Sequence, residues 1–313
     1  TLNQQLMFCN TYHLILHPGS DVVAHAGGLH KFINRTSPII TDSGGFQVFS
    51  LAYGGVASEL KSKGTKQQKN SVAKITEEGV TFRSYRNGDA IKLTPESSVL
   101  AQKQLPPYHI DAKALKKSLD RTHRWEKRSL DVHLANKQQQ AMYAVIHGGI
   151  SPELRKVSCQ TLTKLDFDGF AIGGSVGKNR TEMIEMLKFT VPQLPENKPN
   201  HLLGIADLPS IEGIIPLGID TFDSSHPTKC ARHGHLFTSL GVKKIEQAQW
   251  KYNFETIDPA CDCFTCKNYT NSFLHHLFKA KEAAGHTLAT IHNIAYMNNL
   301  MKKYREKIMS GDL

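Results

Sequence analysis

The stretch that decides the fold is MYAVIHGGISPELRKVSCQTLTKLDFDGFAIGG, residues 142–174. Two apolar, β-rich runs, Met142 to Ile146 and Gly169 to Ile172, are separated by an amphipathic helical pattern from Pro152 to Leu165. This alternation of strand, helix and strand predicts a parallel sheet with crossover helices. Glycine pairs follow both runs and predict tight turns where the strands end.

The same alternation continues over the first 223 residues. The other predicted strands are Leu6 to Phe8, Pro38 to Thr41, His201 to Ile205 and Gly218 to Phe222, and the other predicted helices are Arg180 to Phe189 and Pro209 to Pro216. Short strands that end in polar or glycine residues favour an α/β fold of the (β/α)8 TIM barrel type, in which strand ends build the site. Only six of its eight strands are found. Ala52 to Glu78 is polar and predicts a long mobile insertion.

The composition indicates in which cellular compartment the protein works and which classes of partner it can bind. The chain of 313 residues has six cysteines and 40% hydrophobic residues, so it can bury a core without disulfides, as in a reducing cytosol. We find no apolar run of about 18 residues and no charged-then-apolar leader, and we expect a soluble cytoplasmic protein without a membrane partner. A net charge of +10 favours polyanionic ligands, although solvated faces carry such charge equally. The basic residues concentrate in Lys61, Lys63, Lys66 and Lys69 and between Lys113 and Lys137.

The C-terminal part contains a Cys-Asp-Cys-Phe-Thr-Cys cluster and, further on, a histidine within a helical pattern. Its candidate ligands are Cys261, Cys263, Cys266 and His292. Three thiolates and one imidazole form a closed tetrahedral site for one structural Zn²⁺ per chain. Buried cysteines beside an unrelated histidine are the alternative. We assign residues 1–255 to a catalytic barrel domain and residues 256–313 to a zinc-binding subdomain with a C-terminal helix.

Two carboxylates, Asp42 and Asp223, each follow a predicted strand and precede small residues. In a barrel both would face one cleft. Cleavage of a glycosidic bond requires a carboxylate as nucleophile or charge stabiliser and a group that transfers a proton. Aspartates at such positions also cap helices and turns, so their positions alone leave both roles open.

Several motifs resemble the tRNA-guanine transglycosylase family and occur in the family's order. They are Asn10 to Leu14, Thr41 to Val48, Gly173-Gly174, Gly218 to Asp223 and the cysteine cluster. The resemblance implies a (β/α)8 barrel with a zinc subdomain. It also implies exchange of guanine at the wobble position of tRNAs with GUN anticodons for a 7-deazaguanine, preQ1 or queuine, in queuosine modification. The implied partners are the tRNA anticodon stem-loop and a second copy in a homodimer.

The resemblance also implies roles for individual residues. Asp223 would be the nucleophile that forms a covalent bond to the ribose, and Asp42 would handle the proton of the leaving and entering bases. A neighbouring carboxylate would then raise the pKa of Asp42. Lys229 and Arg232 match positions that grip anticodon-loop phosphates. The residues that match the base pocket are Asn10, Ser43, Phe46, Gln47, His147, Gly173, Gly174, Leu203 and Gly204.

The chain departs from the family pattern at several positions. His147 stands where glutamine is usual, and Ser175-Val176-Gly177 is one residue shorter than the usual segment. If this shorter segment forms one wall of the base pocket, the pocket is roomier, and we expect it to accept queuine beside or instead of preQ1. A strand before Thr1 and a strand near Gln104 have no counterpart, and we expect that the sequence omits residues present in the molecule.

Two other classes of protein make different demands on the sequence. A noncatalytic accessory subunit of the same fold would keep the zinc ligands and lose the aspartates. A barrel glycoside hydrolase acting on sugars would not need the zinc subdomain or the basic residues that bind phosphates. Because Asp42, Asp223 and the four candidate ligands are all present, we expect a catalytic transglycosylase.

Overall fold

The computed structural model describes residues 2, 4–42, 72–84, 88–99, 112–137, 139–174 and 176–313. Its strands are β1 Met7–Cys9, β2 Ile39–Thr41, β3 Val72–Ile75, β4 Val80–Arg83, β5 Ala90–Leu93, β6 Tyr143–Ile146, β7 Gly169–Ile172, β8 Asn200–Leu202, β9 Thr221–Phe222, β10 His235–Thr238 and β11 Gly241–Lys244. Its helices are α1 Thr11–Leu16, α2 Ser20–His25, α3 Leu29–Phe32, α4 Pro95–Val99, α5 Ala112–Ala135, α6 Pro152–Leu162, α7 Arg180–Thr190, α8 Leu208–Ile214, α9 His226–Arg232, α10 Phe264–Asn268, α11 Asn271–Lys279 and α12 Ala283–Ser310. The mixed α/β class predicted from the sequence is therefore confirmed.

The chain forms two compact units. The larger unit comprises Leu6–Leu203 and Gly213–Thr221. The C-terminal unit comprises Gly204–Glu212 and Phe222–Leu313, with the start of the chain. The cysteine cluster and the segment after β9 therefore belong to the same compact unit.

The larger unit contains a four-stranded sheet in the order β6-β7-β8-β9. Strands β6 and β7 are parallel with Tyr143 opposite Gly169, and β7 and β8 are parallel with Phe170 opposite Asn200. All four residues of β7 are buried, which explains its continuous apolar run, since a strand covered on both faces does not alternate. This sheet is the one predicted from residues 142–174.

Helix α6 follows β6 and shows why the sequence folds in this way. Ser151 caps the helix by accepting from the Leu154 N–H at 3.3 Å, and Pro152 stands in the first turn, where no N–H is needed. The residues on its buried face recur with helical spacing and are Arg155, Ser158, Cys159 and Leu162. Two of these four, Arg155 and Ser158, are polar because they form hydrogen bonds with backbone groups of the turn between β6 and α6.

Strands β1 and β2 form a separate parallel pair, with Phe8 opposite Ile40. Strands β3, β4 and β5 form an antiparallel sheet that the sequence reading missed. The predicted mobile insertion from Ala52 to Glu78 is wrong in its last part, because Val72–Ile75 is a strand paired with Val80–Arg83. Its four residues are too few to show a period within a polar segment. Residues 52–71 lie outside the described part.

Several predicted boundaries shift by a few residues for local reasons. The strand predicted to end at Ile205 ends at Leu202, because the chain turns at Gly204, where φ is +75°. The strand predicted from Gly218 begins at Thr221, because Gly218 ends a 3-10 turn with φ of +90°. The helix predicted to Leu165 ends at Leu162.

The C-terminal unit contains the hairpin β10-β11, which the sequence reading also missed, and the long helix α12. One buried cluster joins the hairpin to helices α9 to α12, with Leu236, Ile245, Leu274 and Ala289 fully buried. The buried face of α12 includes Leu288, Ala289, His292, Asn293 and Met297. A histidine and an asparagine thus lie on the buried face of α12 among apolar residues.

The eight-stranded barrel is not confirmed. Within the described ranges, the strands that match the predicted ones form the pair β1-β2 and the sheet β6-β7-β8-β9, with no hydrogen-bonded link between the two. The segment around Gln104, where a further strand is expected, lies outside those ranges. The barrel remains a prediction.

Candidate functional site

Asp42 follows β2 and is tied to the segment after β1. Its Oδ2 accepts a hydrogen bond from the Asn10 side-chain amide at 2.6 Å, and its Oδ1 accepts from the Thr11 N–H at 2.7 Å. Asn10 also caps α1, since its Oδ1 accepts from the His13 N–H at 3.1 Å. The structure thus brings together Asp42 and Asn10, two residues of the predicted site. Both donated bonds hold the Asp42 carboxylate against the start of α1.

Asp223 follows β9 directly and lies in the C-terminal unit. Its Oδ1 accepts from the Gly204 N–H at 3.0 Å. An added Cβ at Gly204 would meet nothing within 4 Å, so its φ of +75° is the reason for glycine there. The predicted pocket residue Gly204 therefore orients the predicted nucleophile.

A second group of predicted residues converges where β6, β7 and β8 end. His147 is 3% exposed, and a Cβ added at Gly174 would lie 3.3 Å from its Nδ1. A Cβ added at Gly173 would lie 2.8 Å from Val145 Cγ1 and 3.0 Å from Leu203 Cδ1. The structure therefore brings His147, Gly173, Gly174 and Leu203 together. It also adds a reason for Gly173, which is close packing against two side chains.

Three predicted pocket residues, Ser43, Phe46 and Gln47, lie outside the described residues, as does Ser175 of the shortened wall. Their predicted roles in base binding are untested.

The four candidate zinc ligands come together in the C-terminal unit. The ligand atoms of Cys261, Cys263, Cys266 and His292 all lie within 4.8 Å of one another. His292 Nδ1 is 3.6 Å from Cys263 Sγ and 3.2 Å from Cys266 Sγ. Ligands bound tetrahedrally at about 2.0–2.3 Å stand roughly 3.5–3.8 Å apart, so the cluster fits Zn²⁺. This arrangement can bind a metal ion, as the sequence predicts.

The hydrogen bond on the other side of the His292 ring supports the same conclusion. His292 Nε2 lies 2.7 Å from the Phe237 carbonyl oxygen, which can only accept, so Nε2 carries a proton and Nδ1 is the ring nitrogen that faces the sulfur atoms. Burial alone would lower the pKa of His292, but hydrogen bonds with Cys263 and Cys266 raise it to about 9. Hydrogen bonds from Cys261 and Cys266 hold the pKa of Cys263 far below its usual value. Hydrogen bonds with Cys263 and Cys266 raise the pKa of Cys261, so the negative charge of the cluster lies mainly on Cys263.

Asn293, next to His292, was missed by the sequence reading. It is fully buried, its Oδ1 accepts from the Phe237 N–H at 3.0 Å, and its Nδ2 donates to Pro227 O at 3.0 Å and His235 O at 2.9 Å. These bonds fasten β10 and the first turn of α9 to α12. Nothing in the local sequence distinguishes this asparagine from an exposed one.

The basic residues divide into two groups. Lys229 and Arg232 are exposed and three residues apart on α9, so they share a helix face. Several arginines of the basic stripe on α5 are instead paired within the protein. Arg124 lies 2.6 Å from Glu77, and Arg128 lies 2.6 Å from Glu96. Much of that stripe is therefore neutralised, and α9 is the better candidate for contact with phosphates.

None of the helices in the described ranges is both long enough and apolar enough to cross a membrane.

Comparison with known proteins places this geometry in a family. A family profile described as queuine tRNA-ribosyltransferase matches residues 1–313. A queuine tRNA-ribosyltransferase of Protochlamydia amoebophila (strain UWE25) is 62% identical over 315 residues, which cover 97% of this chain and 81% of that protein. Proteins with the same name from Chlamydia caviae and Chlamydia muridarum are 50% and 51% identical over 323 residues, covering 99% of this chain and 87% of each relative. The similarity thus extends over both compact units.

Proposed function

Because the chain belongs to the queuine tRNA-ribosyltransferase family, whose enzymes are pentosyltransferases of the tRNA-guanine transglycosylase type, we propose that it replaces guanine at the wobble position of GUN anticodons with a 7-deazaguanine. The observation that carries the proposal is the hydrogen bond between the Gly204 N–H and Asp223 Oδ1 at the end of β9. It orients a carboxylate directly after a strand of the sheet β6-β7-β8-β9, and α/β enzymes build their sites at strand ends.

The proposed reaction has two displacements. The Asp223 carboxylate attacks C1′ of the wobble nucleotide, the bond from C1′ to guanine N9 breaks, and guanine leaves with a proton. N9 of the incoming base then attacks C1′, the bond to Asp223 breaks, and the incoming base loses its N9 proton. Two inversions retain the configuration at C1′. We assign to Asp42 the transfer of both protons.

The base pocket is proposed around His147, Gly173, Gly174 and Leu203, with Asn10 holding Asp42. Phe46 would stack on the base, and Ser43 and Gln47 would contact it. The short segment after Gly174 supports a pocket that accepts queuine as well as preQ1. Incorporation of each free base into tRNA at equal concentration tests this point, and use of preQ1 alone would contradict it.

The tRNA is proposed to contact α9 through the phosphates of the anticodon loop. Lys229 and Arg232 are exposed on this helix, and Asn293 fastens its first turn to the helix that carries His292. A structural Zn²⁺ held by Cys261, Cys263, Cys266 and His292 would stabilise this region and take no part in the chemistry. The (β/α)8 barrel, the division near residue 256, the homodimer and a cytoplasmic location remain proposals.

Trapping a covalent intermediate tests the reaction. The protein is incubated with a tRNA anticodon stem-loop and run on a denaturing gel. The wild-type protein is expected to shift the RNA, and Asp223→Asn is expected not to, although its amide oxygen can still accept from the Gly204 N–H. A shifted band with Asp223→Asn would refute the nucleophile assignment. A wild-type protein that incorporates neither labelled guanine nor a 7-deazaguanine into tRNA would refute the function.

A further inference from the structure

Arg155 is a fully buried cation of the larger unit to which the proposed chemistry assigns no role. It lies on the inner face of α6, directly after β6 and its glycine turn. Burial of a guanidinium is costly unless its donors are satisfied. Burial lowers the pKa of Arg155 to about 10, so the group keeps its charge at neutral pH.

All three nitrogen atoms of this guanidinium donate to backbone carbonyls at the ends of two adjacent strands. Nη1 donates to Ile146 O at 2.7 Å, and Nε donates to Gly149 O at 2.9 Å, on either side of His147. Nη2 donates to Gly173 O at 3.0 Å, where β7 ends. One planar group thus spans the two turns that carry His147 and the glycine pair.

The surrounding contacts hold the first turn against α6. A Cβ added at Gly148 would lie 2.6 Å from the Arg155 backbone nitrogen, so only glycine allows this approach. One turn further along α6, Ser158 Oγ accepts from the His147 N–H at 3.2 Å. The Gly173 N–H also donates to Ile146 O at 3.1 Å, so Arg155 shares an acceptor with the contact between the two strands.

We propose that Arg155 is a positioning residue that sets the separation of the His147 turn and the Gly173-Gly174 turn and thereby the fit of the free base. This inference rests on the proposed function, in which both turns line the base pocket. Arg155 touches neither base nor ribose in this account and acts through backbone carbonyls. Lysine cannot replace it, because one ammonium group cannot reach three carbonyls with the geometry of a planar fork.

The test compares Arg155→Lys with Leu162→Ala, a control on the buried face of the same helix whose side chain makes no hydrogen bond. Incorporation of labelled guanine into tRNA is measured while guanine and tRNA are varied separately. Arg155→Lys is expected to raise the KM for guanine about tenfold or more and to leave the KM for tRNA within about twofold, since small displacements at a site are costly. Leu162→Ala is expected to lower Tm and leave both KM values within about twofold.

A KM for guanine unchanged in Arg155→Lys, or raised equally in Leu162→Ala, would overturn the proposal. If Arg155→Lys does not fold, Ser158→Ala decides. It removes the bond to the His147 N–H together with the contact between Ser158 Oγ and His123 Nε2 at 3.2 Å, and an unchanged KM for guanine would then count against the positioning role.

Hydrogen exchange provides a readout that does not depend on the reaction. Arg155→Lys is expected to exchange faster in peptides that cover residues 144–150 and 170–176 and at the wild-type rate in residues 226–238. Hydrogen exchange at the wild-type rate in both turns of Arg155→Lys, or a uniform increase over the whole chain like that of the control, would overturn the proposal. If the wild-type protein incorporates no base into tRNA, only the proposed function is overturned. Hydrogen exchange then still decides the role of Arg155.

Discussion

Replacement of Asn293 by alanine tests the connection between the metal-binding helix and the helix proposed to contact tRNA. The Asn293 side chain is fully buried and makes three hydrogen bonds to backbone groups, two to Phe237 and His235 of β10 and one to Pro227 in α9. Alanine removes all three bonds and leaves an N–H and two carbonyl groups buried. It also removes side-chain volume from the core.

The expected cost follows from these groups. A hydrogen bond contributes about 1 kcal/mol net, and a buried polar group left without a partner costs about 1–3 kcal/mol. Because local relaxation will satisfy some of these groups, we expect Asn293→Ala to lower the unfolding free energy of the C-terminal unit by about 3–5 kcal/mol. That loss is a large part of the stability of a unit of this size.

The assay must report on the C-terminal unit alone, and the two tryptophans make this possible. Trp125 belongs to the larger unit and Trp250 to the C-terminal unit. In a Trp125→Phe background, the fluorescence of Trp250 in urea follows the C-terminal unit. The matched control is Asn298→Ala on the same helix, which removes one bond to Leu2 O at 2.7 Å and is expected to cost about 1 kcal/mol or less.

The reasoning would be refuted if Asn293→Ala cost no more than Asn298→Ala. Asn293→Ala should also weaken binding of the tRNA stem-loop, because α9 loses its hydrogen bond to α12. Stem-loop affinity at the wild-type level in a destabilised variant would leave the stability argument intact and contradict the link to tRNA.

Three further predictions concern other parts of the chain. Gly173→Ala is expected to cost about 1–3 kcal/mol in thermal unfolding, because the added methyl would lie 2.8 Å from Val145 Cγ1 and 3.0 Å from Leu203 Cδ1, and an unchanged Tm would contradict this. Hydrogen bonds from Arg128 lower the pKa of Glu96, so its contribution is present at neutral pH and lost as the pH falls through the lowered value. Glu96→Gln should therefore cost at most about 1 kcal/mol at pH 7, given its partial exposure, and almost nothing below about pH 4 in urea unfolding; a constant difference would refute it. Cys263→Ser should lose the metal measured by mass spectrometry and lower Tm, whereas the control Cys230→Ser should retain both; equal metal content in the two variants would exclude Cys263 as a ligand.

Burial on both faces gives β7 a continuous apolar run, which made this strand recognisable in the sequence. Strand β7 was predicted at its observed limits for this reason. The antiparallel strand β3 and the hairpin β10-β11 were missed, because short strands beside polar segments show no reliable period. The boundary errors at Leu202 and Thr221 arose at glycines whose positive φ cannot be inferred from composition.

The sequence by itself determined the chemistry that is available. Cysteine spacing predicted three of the four candidate metal ligands, strand ends predicted Asp42 and Asp223, and family motifs predicted the pocket glycines. Only the tertiary structure decided which polar groups hold these residues in place, since a buried hydrogen bond joins residues far apart in the chain. Asn293 lies 56 residues from the Phe237 N–H that it accepts from, and Arg155 lies 18 residues from the Gly173 carbonyl. Both were unremarkable polar residues until their burial and their backbone partners were known.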